Sequence, residues 1–186
     1  MKNDIAILTP MANEERYAKN FILELLTYRK FFRKFKIFII IDKASKDNTY
    51  NIVKDLEKKN TSLKVVWAPQ NKSVVDAYTQ GYKSCLKTNY KWILEIDSGG
   101  SHTPEDIKKF LKHMNDDHEC IFGSRFCPNG KMLNSNFTRY FFSKFGSLLT
   151  KLFFPMKISD TTSGYQMFQK KILHKIIKKG LLSKDR

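Results

Sequence analysis

No apolar stretch in this sequence approaches the ~20 residues that span a bilayer, so no membrane-crossing segment is expected. Cysteine is scarce. Cys85, Cys120 and Cys127 form an odd set without CxxC spacing, which excludes a disulfide framework and points to a reducing, cytoplasmic setting. The four histidines (His102, His113, His118 and His174) do not pair with these cysteines at zinc-ligand spacing, and structural zinc is set aside. At the amino terminus, no charged region leads into an apolar region and a cleavage site, so export is not expected. Acidic residues are also few: 18 Asp and Glu against 34 Lys and Arg leave a formal charge of +16. A field of this sign attracts polyanions such as nucleic acid, anionic lipid headgroups or phosphorylated small molecules. The lysines are spread along the chain, with no helix-turn-helix, RNP or zinc-finger pattern among them, so no specific nucleic-acid partner is expected.

What the sequence does contain is a core. Hydrophobic residues make up 41 % and aromatics 13 %, enough apolar surface to offset the entropy of ordering. The length suits one domain spanning residues 1–186. Two periods alternate along the chain. Ile5 to Leu8, Lys36 to Ile41, Leu63 to Trp67 and Trp92 to Ile96 read as short buried strands. Between them, Glu14 to about Lys30, Thr49 to Lys58 and Val74 to Leu86 carry apolar residues at helical spacing, and another helix opens at Pro104 with Glu105 and Asp106 in its first turn. This alternation predicts an α/β fold with a mostly parallel sheet flanked by helices. Polar residues gather where strands one, two and four end, at Pro10 to Glu14, Asp42 to Asp47 and Asp97 to His102. Ligands of open parallel sheets bind outside the carboxyl ends of the strands, so one shared site is expected there.

The last third breaks the alternation. Ile121 to Phe126 reads as a strand, and Phe137 to Phe154 as a long aromatic helix with Phe137, Phe141, Phe145, Leu148 and Leu152 on one stripe and Arg139, Lys144 and Lys151 among them. The preferred reading packs this helix on the sheet as core; the alternative lays it on an anionic membrane surface.

Five blocks in order carry a resemblance. Pro10 is followed three residues later by Asn13-Glu14-Glu15. Asp42, Ser45, Asp47 and Thr49 form a second block, and Asp97-Ser98-Gly99 with His102-Thr103-Pro104-Glu105 a third. Gly123-Ser124-Arg125-Phe126 and Asp160 through Phe168 complete the set. Together they resemble the family 2 glycosyltransferases, in the branch that includes dolichol-phosphate mannose synthase and bacterial polyprenyl-phosphate sugar synthases. The resemblance implies a GT-A, Rossmann-like fold. It also implies a glycosyltransferase that moves a sugar from a nucleotide-diphosphate sugar to an acceptor with inversion, a polyprenyl phosphate being the candidate acceptor. On that basis Pro10, Glu14, Asp42, Asp97, Arg125 and Arg139 are expected to bind the nucleotide-sugar. Asp97 is expected to anchor a divalent cation (Mg or Mn) on the diphosphate. Asp97 and Asp160 are the catalytic candidates, with a loop-structuring role as the alternative for Asp160. A lipid acceptor would place the protein at the cytoplasmic face of a membrane.

Several residues depart from the pattern. The second acid of the Asp-x-Asp block is Gly99, for which Ser101, His102 and Glu105 are candidate substitutes. Lys43 stands where many relatives carry a second acid, Ser73-Val74-Val75 replaces an expected glycine-rich run, and Lys144 and Gln166 replace arginines. Gly99 motivates an alternative function, a non-catalytic domain that binds nucleotide-sugar without turnover. Relatives usually continue beyond the block ending at Phe168, so a truncated or minimal catalytic domain is expected.

Overall fold

The computed structural model describes residues 3–114, 118–128, 130, 137–154 and 158–179; the side chains of Phe137 and Arg139 lie outside the described part. Its centre is a six-stranded sheet in the order β3-β2-β1-β4-β6-β5. The strands are β1 (Asp4–Pro10), β2 (Lys34–Ile41), β3 (Leu63–Trp67), β4 (Trp92–Glu95), β5 (Cys120–Phe122) and β6 (Gln166–Gln169). The first four are parallel, and β6 runs antiparallel between β4 and β5.

Alternate residues on each strand point to opposite faces, and both faces are apolar because both are covered. Ile5, Ile7, Ile37, Ile39, Ile41, Trp92 and Leu94 face one core, closed by α1 (Ala18–Thr27), α2 (Thr49–Lys59) and α4 (Ile107–His113). Ala6, Leu8, Phe38, Ile40 and Ile93 face the other, closed by α3 (Val74–Leu86) and α6 (Lys170–Lys178). The helix α3 packs against β1 through Gly81, where an added Cβ would lie 2.1 Å from Leu8 Cδ1. Leu8 is fully buried and has little room to yield. Gly81→Ala is therefore expected to overpack this contact and cost about 1–3 kcal/mol, readable as a lower urea midpoint with an unchanged slope.

Three of the elements expected from the sequence take a different form, each for a local reason. The first helix begins at Ala18, because residues 14–17 form a turn in which Glu14 carbonyl accepts from Tyr17 N (2.9 Å) and Ala18 N (2.8 Å). The strand expected over Ile121 to Phe126 ends at Phe122; Gly123 N still reaches Tyr165 carbonyl (2.8 Å), the next step of the β5–β6 register, and then Arg125 N turns away to Asp160 Oδ2 (3.1 Å).

The third difference is a correction. The helix α5 (Phe137–Phe153) does not bury its aromatic stripe: Phe141, Phe145, Leu148, Leu152 and Phe153 are exposed, Leu152 by 76 %. Its small-residue side faces inward instead. Ser147 is buried, its hydroxyl accepting from Thr161 N (3.2 Å), and Gly146 lies beside Thr162. Helical periodicity identifies an amphipathic helix but does not say which face the rest of the chain covers.

Candidate nucleotide-sugar site

The strand order places β1 between β2 and β4, so the crevice at the switch point opens where their carboxyl ends meet. The first two polar blocks are clasped together there. Asn13 adopts a left-handed backbone (φ 59°), donates from Nδ2 to Ala44 carbonyl (3.1 Å) and accepts from Lys46 N (2.8 Å). Glu14 N donates to Thr49 Oγ1 (2.7 Å) and Glu15 N to Asp47 Oδ2 (2.9 Å), while Glu15 Oε2 accepts from Asn48 N (3.0 Å). Burial raises the Asp47 carboxyl, but hydrogen bonds from Thr49, Glu15 N and Ser45 outweigh it and hold the group at about 2. Ser45, Asp47 and Thr49 thus build the clasp, while Asp42 beside them accepts from Ala44 N (2.9 Å).

Asp97 follows β4 and keeps 40 % of its side chain exposed, with Oδ1 accepting from the Tyr78 hydroxyl and Oδ2 3.6 Å from His102 Nδ1. Two residues earlier, Glu95 accepts from the Tyr82 hydroxyl, and burial followed by repulsion from Asp97 raises its carboxyl well above the ordinary range. Sequence reasoning missed this double clamp, although a signal for it exists. Tyrosines four apart on a helix are about 6 Å apart along the axis, and strand residues two apart about 6.6 Å, so the two pairs can match. Ser98 Oγ donates to Pro10 carbonyl (3.2 Å) and ties the Asp97 loop to the end of β1. An added Cβ on Gly164 would lie 3.0 Å from Asp97 Oδ2, so glycine is what lets the segment before β6 approach this carboxylate.

That segment carries the second charged pair. Asp160 Oδ2 accepts from Arg125 N (3.1 Å) and Nε (2.7 Å), and Oδ1 from Arg125 Nη2 (2.9 Å), Thr162 N (3.1 Å) and Thr162 Oγ1 (3.0 Å). The Asp160 side chain is fully buried and that of Arg125 only 11 % exposed. Burial raises the Asp160 carboxyl, yet the bonds from Arg125 prevail and leave it below its usual value. With both oxygens occupied, Asp160 is arranged to orient the guanidinium. Arg125 lines a cavity of about 840 Å³ with His102, Lys109, Phe110, Phe122 and Tyr165. Arg139 belongs to α5, and its side chain lies outside the described part.

The structure thus brings Pro10, Glu14, Asp42 and Asp97 together at three adjoining strand ends, and Arg125 with Asp160 at the neighbouring cavity. This is the layout of an open, mostly parallel α/β domain whose strand ends share one crevice. Residues 6–177 match the profile described as Glycosyl transferase family 2, and the chain belongs to that family. Among curated proteins it is similar to an undecaprenyl-phosphate mannosyltransferase of Micrococcus luteus, 28 % identical over 74 % of this chain and 56 % of the relative. A UDP-N-acetylglucosamine–dolichyl-phosphate N-acetylglucosaminyltransferase of Methanococcus voltae is 29 % identical over 97 % of this chain and 74 % of its own length. Against the first of these, and against a polyprenol monophosphomannose synthase of Mycolicibacterium smegmatis, the chain spans little more than half the relative's length, 56 % and 52 %. Among solved structures, glucosyl-3-phosphoglycerate synthase of Mycobacterium tuberculosis, in complex with Mn²⁺, UDP and phosphoglyceric acid, superposes with a TM-score of 0.65 at 14 % identity, over 91 % of this chain and 57 % of that one. That likeness confirms the GT-A fold.

Proposed function

We propose that this chain is the catalytic domain of a glycosyltransferase that moves a sugar from a nucleotide-diphosphate donor to a polyprenyl phosphate, with inversion. The observation that carries the reading is the convergence of Glu14, Asp42 and Asp97 on one crevice beside a cavity bearing Arg125. Asp42, Glu14 and the backbone at Pro10 face the nucleoside, where carboxylates accept from ring N–H or ribose hydroxyl groups. Arg125, held flat by Asp160, offers its guanidinium to phosphate oxygens. The role of Asp160 is positioning, and Arg139 is assigned to the phosphates by resemblance alone. In the transfer, an acceptor phosphate oxygen attacks the anomeric carbon as the bond to the diphosphate breaks, and the nucleoside diphosphate leaves. The acceptor is already ionised, so no general base is needed.

A divalent cation, Mg²⁺ or Mn²⁺, fits beside Asp97: such ions are held by one or two carboxylates together with substrate phosphates. Among the described residues no three His, Cys, Asp or Glu side chains converge on one point. When bound, the ion supplies charge to the leaving diphosphate.

Calorimetric titration with UDP, GDP and their sugars, with and without Mn²⁺, tests the reading. Binding of one nucleotide series and transfer to a polyprenyl phosphate are expected. Absence of any binding refutes the reading, and binding without transfer supports the non-catalytic alternative that Gly99 motivates.

The exposed face of α5 suits a lipid acceptor. Phe141, Phe145, Leu148, Leu152 and Phe153 lie outward with Lys144 and Lys151, and no helix among the described residues is long and apolar enough to cross a membrane. On this reading the helix rests on the cytoplasmic face of an anionic membrane, where each basic residue adds about 1 kcal/mol of attraction. Replacing Lys144 and Lys151 by Glu is expected to release the protein from anionic vesicles in co-sedimentation without moving its unfolding temperature. A wild type that stays in the supernatant would refute membrane docking.

A further inference from the structure

We infer that Tyr78 is a positioning residue for sugar transfer, its hydroxyl holding the Asp97 carboxylate in the orientation that serves the donor. The inference rests on the donor-binding reading above, in which Asp97 stands beside the cation, and adds the residue that holds it there. A carboxylate at a strand end, with 40 % of its side chain exposed, has two torsions to fix. Asp97 is held at Oδ1, which accepts from the Tyr78 hydroxyl. His102 Nδ1 stands 3.6 Å from Oδ2, beyond hydrogen-bond length, so the imidazole flanks the carboxylate without fixing it. With Gly99 in the second place of the Asp-x-Asp block, Asp97 is the block's single acid, and its orientation carries the block's whole contribution.

Tyr78 can hold because it is itself held from both sides along α3. Ahead of it, Ser73 Oγ accepts from Asp76 N (3.2 Å) and Asp76 Oδ2 from Ser73 N (3.0 Å), a capping box that fixes where the helix begins. Behind it, Gly81 seats the helix against Leu8 of β1, and the buried Tyr82 hydroxyl donates to Glu95. The helix cannot slide or turn relative to β4 without breaking that pair and that contact. On the strand side, the bond from Ser98 Oγ to Pro10 carbonyl anchors the residue next to Asp97. Hydroxyl and carboxylate thus belong to two registered elements, and the bond between them is set before a ligand arrives. The sister pair supplies a built-in comparison. Glu95 is 5 % exposed and lies inside the fold, whereas Asp97 opens on the crevice. Deleting the hydroxyl of Tyr82 therefore removes an interior bond, and deleting that of Tyr78 a bond to the site.

The test compares Tyr78→Phe with Tyr82→Phe in the full chain, both of which keep the aromatic ring. Mn²⁺ affinity is followed by electron paramagnetic resonance with whichever of UDP and GDP binds, nucleotide affinity in EDTA by calorimetry, and stability by urea unfolding. Tyr78→Phe is expected to lower Mn²⁺ affinity and the kcat of transfer about tenfold or more, with nucleotide affinity in EDTA unchanged. Tyr82→Phe is expected to lower the urea midpoint while kcat and Mn²⁺ affinity stay at wild-type values. On an Asp97→Asn background, Tyr78→Phe should add less than about twofold, because it acts through a charge already removed. Unaltered Mn²⁺ affinity and kcat in Tyr78→Phe would overturn the proposal. So would an equal loss in Tyr82→Phe, an effect that multiplies fully with that of Asp97→Asn, or a Tyr78→Phe protein that no longer folds, since each makes the hydroxyl part of the scaffold. A loss of nucleotide affinity in EDTA overturns it as well, by marking Tyr78 as a direct donor contact. In all these cases a wild type that binds nucleotide leaves the donor-binding reading standing; one that binds neither nucleotide nor Mn²⁺ removes both.

Discussion

Asp97→Asn is expected to cut sugar transfer roughly a hundredfold to a thousandfold while the protein unfolds at its native temperature. The carboxylate stands at the end of β4, partly exposed, with one oxygen clamped by Tyr78 and the other beside His102. Removing one electrostatic contact to charge that develops on a leaving group typically costs about 2.7–4 kcal/mol of transition-state stabilisation. The amide keeps the shape and still accepts from the Tyr78 hydroxyl, so the fold has little reason to change. A steady-state assay paired with thermal unfolding makes the measurement. Wild-type rates in the variant would remove Asp97 from the reaction.

A second large effect is expected at Asp160, and it falls on stability first. Asp160→Ala strips a fully buried carboxylate from a guanidinium that is itself nearly buried. Leaving one member of such a pair uncompensated costs about 3–5 kcal/mol, which denaturant unfolding at pH 7 will read directly. The effect depends on pH with a definite sign. The folded carboxyl lies below its ordinary value, so its contribution is present at pH above the unfolded value of about 3.9 and is lost as pH falls through the folded one. The gap between wild type and variant should therefore narrow on acidification. A variant that unfolds like the wild type and loses only transfer would make Asp160 a reacting group.

How much of this was legible in the sequence depends on range. The strands Leu63–Trp67 and Trp92–Glu95 and the helices from Thr49 and Val74 were readable because each carries its own period and its own punctuation. The three polar blocks were correctly placed at one end of the sheet, because a parallel topology sends successive strand ends to the same side. Pairings across the fold were not legible. Tyr78 and Tyr82 belong to one helical segment and Glu95 and Asp97 to another stretch of chain, and nothing local joins them until the fold brings the end of β4 within reach of α3. The strand β6 escaped because Met167 and Phe168 are flanked by glutamines and only the company of β4 and β5 makes an extended conformation favourable. The orientation of α5 was misjudged for the same reason, since its outward face carries the stronger apolar signal and its inward face only Gly146 and Ser147.

The bond from Gly123 N to Tyr165 carbonyl has a consequence for how such a domain can diversify. It staples the chain as it leaves β5 to the chain as it enters β6 and so closes the neck of the connection between them. The entropic cost of closing a flexible loop grows only with the logarithm of its length, about 0.6 kcal/mol per doubling. A segment attached in this way can be lengthened, shortened or exchanged with little penalty to the sheet, provided the Arg125–Asp160 pair just inside the neck is retained. The domain is in effect a fixed socket with a replaceable fitting.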